Sequence, residues 1–600
     1  MNNTSPFIRK IFYIACIGGL LIPLSMVSRP ETRDGDGAIQ DPGGVLSSLR
    51  ENHDLSQAKV SEIDPASETM KLASLGLRGV AVNMLWMQAM DHKKKENYDQ
   101  LASTLQTLTK IQPSFVKVWE FQAHNLSYNV SMEFDDYEYR YVWVKKGLAF
   151  LKKGIPYNKR DHRVPSKLGF FTGNKFGKSD EKLSFRRIFR KDDEFHREMS
   201  DFINPDSYDQ RSYGPDSWKM AYQWYDYSRK MVEEESCRQL TNDLLFYMYR
   251  PSQIRHQAIS LQDEYRTEEI IQEIWRESQD QWIDYGNEKI TNSLGVTFTL
   301  EGVADVEAKV EKLREKLDKL APEGLRQSFL TELMAQKNVP EEDIMLMKLD
   351  PSERTEEQNQ QVHSMVQYLS KLDRDLDNKI ALEVPEGDRK EANRIAFEIS
   401  SLLLEISTSA RDSEIVNYSY WRERTEAEAK DLTAEARRSL YDAKQMWRQS
   451  IYDDEYDFDY KTKTKTITNR GAITLYLEAF EKWDEVFKAY PLLKDGLLAN
   501  QITESIQEFQ KMLDLTSREW PEDFPLQDFV DFRFASGEIY DKLPTTEDLE
   551  ELRSGREDLS SEDDQSSEDQ PSGDSSNDSD ESDSETQKSS ESMDDQENDQ

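Results

Sequence analysis

The chain has 600 residues with 116 acidic against 77 basic side chains, a net charge of −39 at pH 7. A field of that sign repels phosphate backbones and excludes nucleic acid as a main partner. Its two cysteines, Cys16 and Cys237, exclude a thiolate zinc cluster, and with Cys16 in an apolar run no structural disulfide is expected.

Glycine and proline are sparse, and long runs are rich in Glu, Lys, Leu, Gln and Arg, so the expected fold class is all-α. Arg9 and Lys10 precede an uncharged apolar run, Ile11 to Val27. That run is long enough for a short spanning helix and longer than an ordinary signal-peptide core. Residues 1–28 are therefore expected to be a signal anchor. The N-terminus would stay in the cytoplasm, with the body in the periplasm or an equivalent extracytoplasmic space. A cleaved signal peptide is the alternative, although no small-x-small site follows Val27 and Tyr13 spoils a lipobox before Cys16. Residues 29–65, with Gly35, Gly37, Gly43 and Gly44, are expected to be a flexible linker.

Residues 66–150 carry the clearest pattern. Leu101, Leu105 and Leu108 recur at helical spacing after Tyr98, and Pro113 stops the helix. Asn97 suits a left-handed corner. A partner helix over 80–92 holds Val82, Leu85, Trp86 and the small Ala89, and a third helix after Pro113 holds Trp119 and Ala123. Near the C-terminus Tyr476, Ala479, Trp483, Val486 and Pro491 repeat the same intervals, with a helix expected before them at 434–450.

These spacings resemble the tetratricopeptide repeat (TPR), a 34-residue helix pair. The run from Leu77 to Ser131 is also similar to a group of large bacterial membrane-anchored TPR-like proteins of unassigned function. The resemblance implies a degenerate solenoid of helical hairpins that binds a protein partner, whose identity it does not give. Asn83, Gln122, Asn125 and Asn129 lie beside the motif and are the polar positions proposed for a partner segment. The helix-ending proline of the next repeat is missing near Gly147.

The segment 151–200 is basic. Over 145–197, 16 Lys and Arg stand against 6 Asp and Glu, with Phe170, Phe171, Phe176, Phe185 and Phe189 interleaved. Lys152, Lys153, Arg186, Arg187 and Arg190 are its candidate anion-binding residues. The alternative function follows from them: binding of cell-envelope polysaccharide or anionic lipid. Residues 201–295 are aromatic-rich, and Trp218, Trp224, Trp275 and Trp282 are expected as core.

Val303, Val306, Val310, Leu313, Leu317 and Leu320 form a heptad seam. With further helices through Val362, Val366, Leu369, Leu376 and Ile380 and over 389–412, the segment 296–412 is expected to be an inserted antiparallel helical, coiled-coil-like arm. Self-association through the 303–320 heptads is the alternative. Residues 413–543 are expected to hold the second TPR-like region and an irregular closing segment from Pro521. From 544 to 600 the chain is an acidic, Ser-rich tail with no aromatic residue after Glu557, a composition expected to stay disordered.

No GxSxG, HExxH, P-loop or GxGxxG occurs, and no two of the seven histidines lie within five residues. Asp192, Asp193, Glu194 and His196 read as a hydrated helix face. The run Asp453 to Asp459 lacks the spacing and glycine of a calcium loop. Neither catalysis nor a cofactor or metal is expected. The reading is a non-enzymatic membrane-anchored scaffold that binds protein.

Overall fold

The computed structural model describes residues 6–52 apart from 30–31, 34–38 and 42, then 77–208, 214–336 apart from 234–236, 238, 240–241, 265–267 and 293, then 375–459, 464–537 and 543–549, with isolated positions between 340 and 365. These residues are mostly helical, with three two-stranded antiparallel ribbons. The chain falls into two units, 1–529 and 530–600.

Helix α1 (Pro6–Ser28) contains the apolar run. Among the described residues it is the one helix long and apolar enough to cross a membrane, and none of that span is buried. Within the stretch expected as linker, the ribbon β1 (Thr32–Arg33) and β2 (Ile39–Asp41) and the helix α2 (Val45–Asn52) are formed. Arg29 pairs with Asp41 at 2.8 Å. Residues 53–65 lie outside the described residues.

The body begins with α3 (Arg78–Lys94) and α4 (Tyr98–Ile111). The left-handed residue of their corner is Glu96, at φ 55°, not Asn97. Asn97 caps α4 instead, its Oδ1 accepting from Gln100 N at 3.3 Å, which satisfies an otherwise orphaned N–H. Leu101, Leu105 and Leu108 pack with Ala89 and Val118 of α5 (Val116–His124). Trp119 Nε1 donates to the Pro113 carbonyl at 2.8 Å and locks the turn.

α5 continues as a π-helical turn, Asn125–Val130, against α6 (Tyr137–Lys152). α7 (Arg163–Phe171) ends in a second π turn, Thr172–Lys178. The short helices α8 (Lys182–Phe189) and α9 (Asp193–Met199) follow, then α10 (Ser217–Glu233), α11 (Asp243–Asp263) and α12 (Glu268–Asn287). Gly169, Gly173 and Gly177 recur every four residues along α7 and its π turn. A Cβ would stand 2.9 Å from Tyr225 at Gly169 and 2.8 Å from Trp218 at Gly173, and closer still to Trp218 at Gly177. Only glycine leaves room for those two rings of α10. The tryptophans expected as core are buried: Trp224, Trp275 and Trp282 fully, and Trp218 at 4% exposed.

After α12 the ribbon β3 (Ile290–Thr291) and β4 (Thr297–Phe298) leads into the inserted arm. The arm comprises α13 (Val303–Leu320), α14 (Leu325–Gln336), α15 (Leu376–Glu383) and α16 (Arg389–Ile415). Val310, Leu313 and Leu317 pack with Leu376, Ile380, Ile395 and Ile399 in a core made only of arm residues. A second copy would have to dock on a seam that the chain already fills from within. Val362, Val366 and Leu369 lie outside the described residues.

The chain then returns to α12 through α17 (Tyr418–Glu428), whose Tyr418 and Trp421 rings lie 6.0 and 6.4 Å from Trp282. α18 (Asp431–Arg448) packs on α19 (Ala472–Ala489), and α20 (Gly496–Leu515) follows. Between α18 and α19 lies the ribbon β5 (Glu455–Asp459) and β6 (Thr464–Asn469), so most of the acidic run is a strand. The alternation of aromatic and acidic residues along β5 is a strand pattern, with Tyr456 opposite Ile467 and Asp457 opposite Thr466. The closing segment is partly regular: α21 (Gln527–Ala535) follows Pro525. In the second unit Thr546 N donates to Asp531 Oδ1 at 2.9 Å. Residues 550–600 of the acidic tail lie outside the described residues.

Candidate functional site

The repeat positions come together as structure. Leu101, Leu105, Leu108, Ala89 and Ala123 are fully buried, as are Tyr476, Ala479 and Trp483. Each of the two helices ends two residues before its proline, Pro113 or Pro491. The polar positions beside the first motif divide. Asn83 is exposed and Asn129 half-buried. Gln122 and Asn125 are 3% and 1% exposed, which corrects their assignment to a partner-facing surface. Gln122 lies on α5 and Asn125 opens the π turn that continues it, both on the side packed into the body. Asn129 Nδ2 then donates to Asn125 Oδ1 at 3.1 Å.

The basic segment divides in the same way. Lys152 is buried, donating to Asp201 at 2.7 Å and to the Glu198 carbonyl. Arg186 is 2% exposed between Asp216, at 2.7 Å, and Glu264. Arg190 donates to the same Glu264 at 2.6 Å. These three are corrected from anion dock to internal ion pairs. Lys145 and Lys182 are likewise engaged by Asp192 and Asp263, each at 2.9 Å. Lys152, Lys182, Arg186 and Arg190 are thus matched by carboxylates from outside the segment. Lys153 and Arg187 remain exposed, with no partner among the described residues.

Arg187 borders an open cleft of about 380 Å³ between the start of α6 and the outer face of α8, lined by Tyr137, Glu138, Ser184, Arg187, Ile188, Lys191 and Asp192. The spacing of Ser184, Arg187, Ile188 and Lys191 puts all four on one face. Asp136 caps α6, accepting from Glu138 N at 2.7 Å, so the N-terminus of that helix, with Glu138 in its first turn, lies beside the two cations. Asp192 adds little free negative charge to the wall. It accepts from Lys145 Nζ at 2.9 Å and from Phe195 N at 3.1 Å. Burial opposes its ionisation, but those donors hold the carboxyl below its usual range. Arg187 and Lys191 have no counter-ion among the described residues, and Tyr137, 41% exposed, gives the cleft an apolar lip. The site can take an anionic group next to an apolar one. Lys191 was read only as part of the basic run, because the α8 face that joins it to Arg187 shows once the helix is known to continue past Phe189 as a turn.

Among the described residues no group of three or more His, Cys, Asp or Glu side chains is placed to hold a metal. Asp453 pairs with Arg518 at 2.5 Å, and Asp454 accepts from Gly471 N at 2.7 Å. No protein-family model matches the chain, and no curated protein or solved structure matches it.

Proposed function

We propose that the chain is a non-enzymatic, membrane-anchored scaffold of TPR-type helical hairpins that binds a protein partner on the extracytoplasmic side. The apolar α1 with its basic flank supports the anchor and its orientation. The two proline-terminated helices with buried small residues support the hairpin type. The observation that carries the reading is the cleft. Arg187 and Lys191 are held without an ion pair beside a helix N-terminus and an exposed tyrosine, while Lys152, Arg186 and Arg190 of the same segment are internally paired. The partner group that fits is an acidic side chain flanked by an apolar one. Binding of envelope polysaccharide or anionic lipid is the second reading, favoured by the same two free cations. It is weakened by the loss of Lys152, Arg186 and Arg190 from the surface, since a polyanion needs an extended basic face.

The test is affinity recovery from native membranes with the full-length protein, the double variant R187E/K191E and the control K153E. One discrete protein recovered with the wild type and K153E but not with the double variant is the expected result. Equal recovery with all three would sink the cleft as the site. Recovery of lipid or glycan alone would replace the protein reading with the second one.

A further inference from the structure

Where α11, α12 and α17 meet, a second group of arginines is arranged differently from Arg186. Arg255 is 8% exposed, and no carboxylate pairs with it among the described residues. One Nη2–H reaches His256 Nε2 at 3.2 Å, and the guanidinium lies over Trp421, 3.6 Å from the ring centre, with Trp282 at 5.6 Å. Its neighbouring charge is another cation. Arg424, 1% exposed, sits 5.4 Å from the same Trp421 ring. The acid nearest to Arg424, Glu428, stands 3.7 Å from its Nε and is gripped by both arms of Arg437.

Elsewhere the chain shows how it neutralises such a group. Arg186 has Asp216 and Glu264, and Arg314 has Asp377 and Glu311. A buried charge left without a counter-ion is strongly destabilising. His256 supplies a lone pair and no charge, because burial and Arg255 push it down to about 3. Burial and Arg424 pull Arg255 down to about 9, which leaves it charged at neutral pH. Arg255 Nε and Arg424 Nε and Nη1 are buried without a hydrogen-bond partner, and so on α12 are Ser278 Oγ and Trp282 Nε1. Trp275, Ser278 and Trp282 share one face of α12 at steps of three and four, and Trp421 and Arg424 share the facing side of α17.

We infer that α11, α12 and α17 enclose a binding site for one small inorganic anion, held by Arg255 and Arg424 with the Ser278 hydroxyl and the Trp282 N–H. Indole walls suit a weakly hydrated, polarisable halide, which needs few donors and no acceptor. A phosphate would leave oxygens unmatched among the rings. The ion would neutralise the junction at which the arm departs, and it is independent of whatever occupies the α6–α8 cleft.

The experiment is a bromide titration of the full-length protein in detergent, starting from gluconate at constant ionic strength. Bromide quenches tryptophan on contact, so occupancy next to Trp282 and Trp421 gives a saturable loss of emission above the linear background from exposed rings. The midpoint of thermal unfolding should rise over the same range and level off. R255M should weaken the saturable component by about 10- to 100-fold, the value of a charged hydrogen bond. A purely linear response in the wild type, or an identical saturable one in R255M, overturns the site. Saturation by phosphate but not by bromide overturns the halide assignment. Should R255M fail to fold, anomalous scattering from bromide-soaked wild-type crystals decides: a peak between Arg255 and Arg424 supports the site, and its absence overturns it.

Discussion

Arg186 and Arg187 are adjacent in the chain and opposite in fate, and exchanging each for methionine separates structure from recognition. R186M leaves Asp216 and Glu264 without their shared cation at side-chain exposures of 1% and 8%. Asp216 keeps the Trp218 N–H at 2.9 Å, and Glu264 keeps Arg190, so the loss falls within the range for breaking a buried pair, about 3–5 kcal/mol. R187M removes an exposed side chain with no partner among the described residues and should change stability by no more than about 0.5 kcal/mol. Equilibrium urea unfolding of the full-length protein reads both.

The pH dependence supplies a second signature. Burial opposes the charge on Glu264, but Arg186 and Arg190 prevail and hold it below its ordinary value. Its contribution is therefore complete above the unfolded carboxyl pKa, about 4.3, and is lost as pH falls through the lower folded value. R186M should shrink that acid-sensitive component and R187M should not. Equal destabilisation by the two variants, or a neutral R186M, would refute the buried cluster and return Arg186 to the surface.

Four further outcomes are expected. G177A should destabilise by about 1–3 kcal/mol, because its Cβ has nowhere to go but into Trp218. G79A, where a Cβ meets nothing within 4 Å, should gain up to about 1 kcal/mol of helix stability, both variants read by the same urea unfolding. L317A should cost about 2–5 kcal/mol, and hydrogen exchange should show the loss confined to 303–415, since Leu317 packs in a core of arm residues alone. His162, wholly buried, is pushed down to about 4 chiefly by burial. The unfolded chain protonates its histidines near about 6.5, so stability should fall between there and pH 4 by up to about 1.4 kcal/mol per pH unit for each such group. H162Q should flatten the slope measured by thermal unfolding.

What was legible in the sequence is what depends on period alone. Leu101, Leu105 and Leu108 repeat at helical steps, and the helix is there with Pro113 beyond it. The heptad from Val303 to Leu320 matches α13 to the residue, because nothing but its own spacing defines that face. The readings that failed depended on distant partners. The basic segment looked free because the carboxylates that neutralise it, Asp216 and Glu264, come from 30 and 78 residues away from Arg186. Gln122 and Asn125 are polar, and their burial shows only once α5 and its continuation are packed against the body. The steps Gly169, Gly173 and Gly177 were in plain view, but their meaning needed the rings of Trp218 and Tyr225. The cleft, likewise, is assembled from two helices some 50 residues apart.

The arm leaves and rejoins the stack at almost the same point: Ser409 Oγ donates to the Thr299 carbonyl at 2.6 Å, and α12 passes directly to α17 through Trp282. The described residues between these points thus form a closed excursion with its own interior. A chain built this way can gain, lengthen or lose such a module in a single genetic insertion or deletion without renegotiating the packing on either side. A short turn joining 299 to 409 should therefore yield a smaller protein that still folds, and lineages carrying this scaffold would be expected to vary in length at that point before any other.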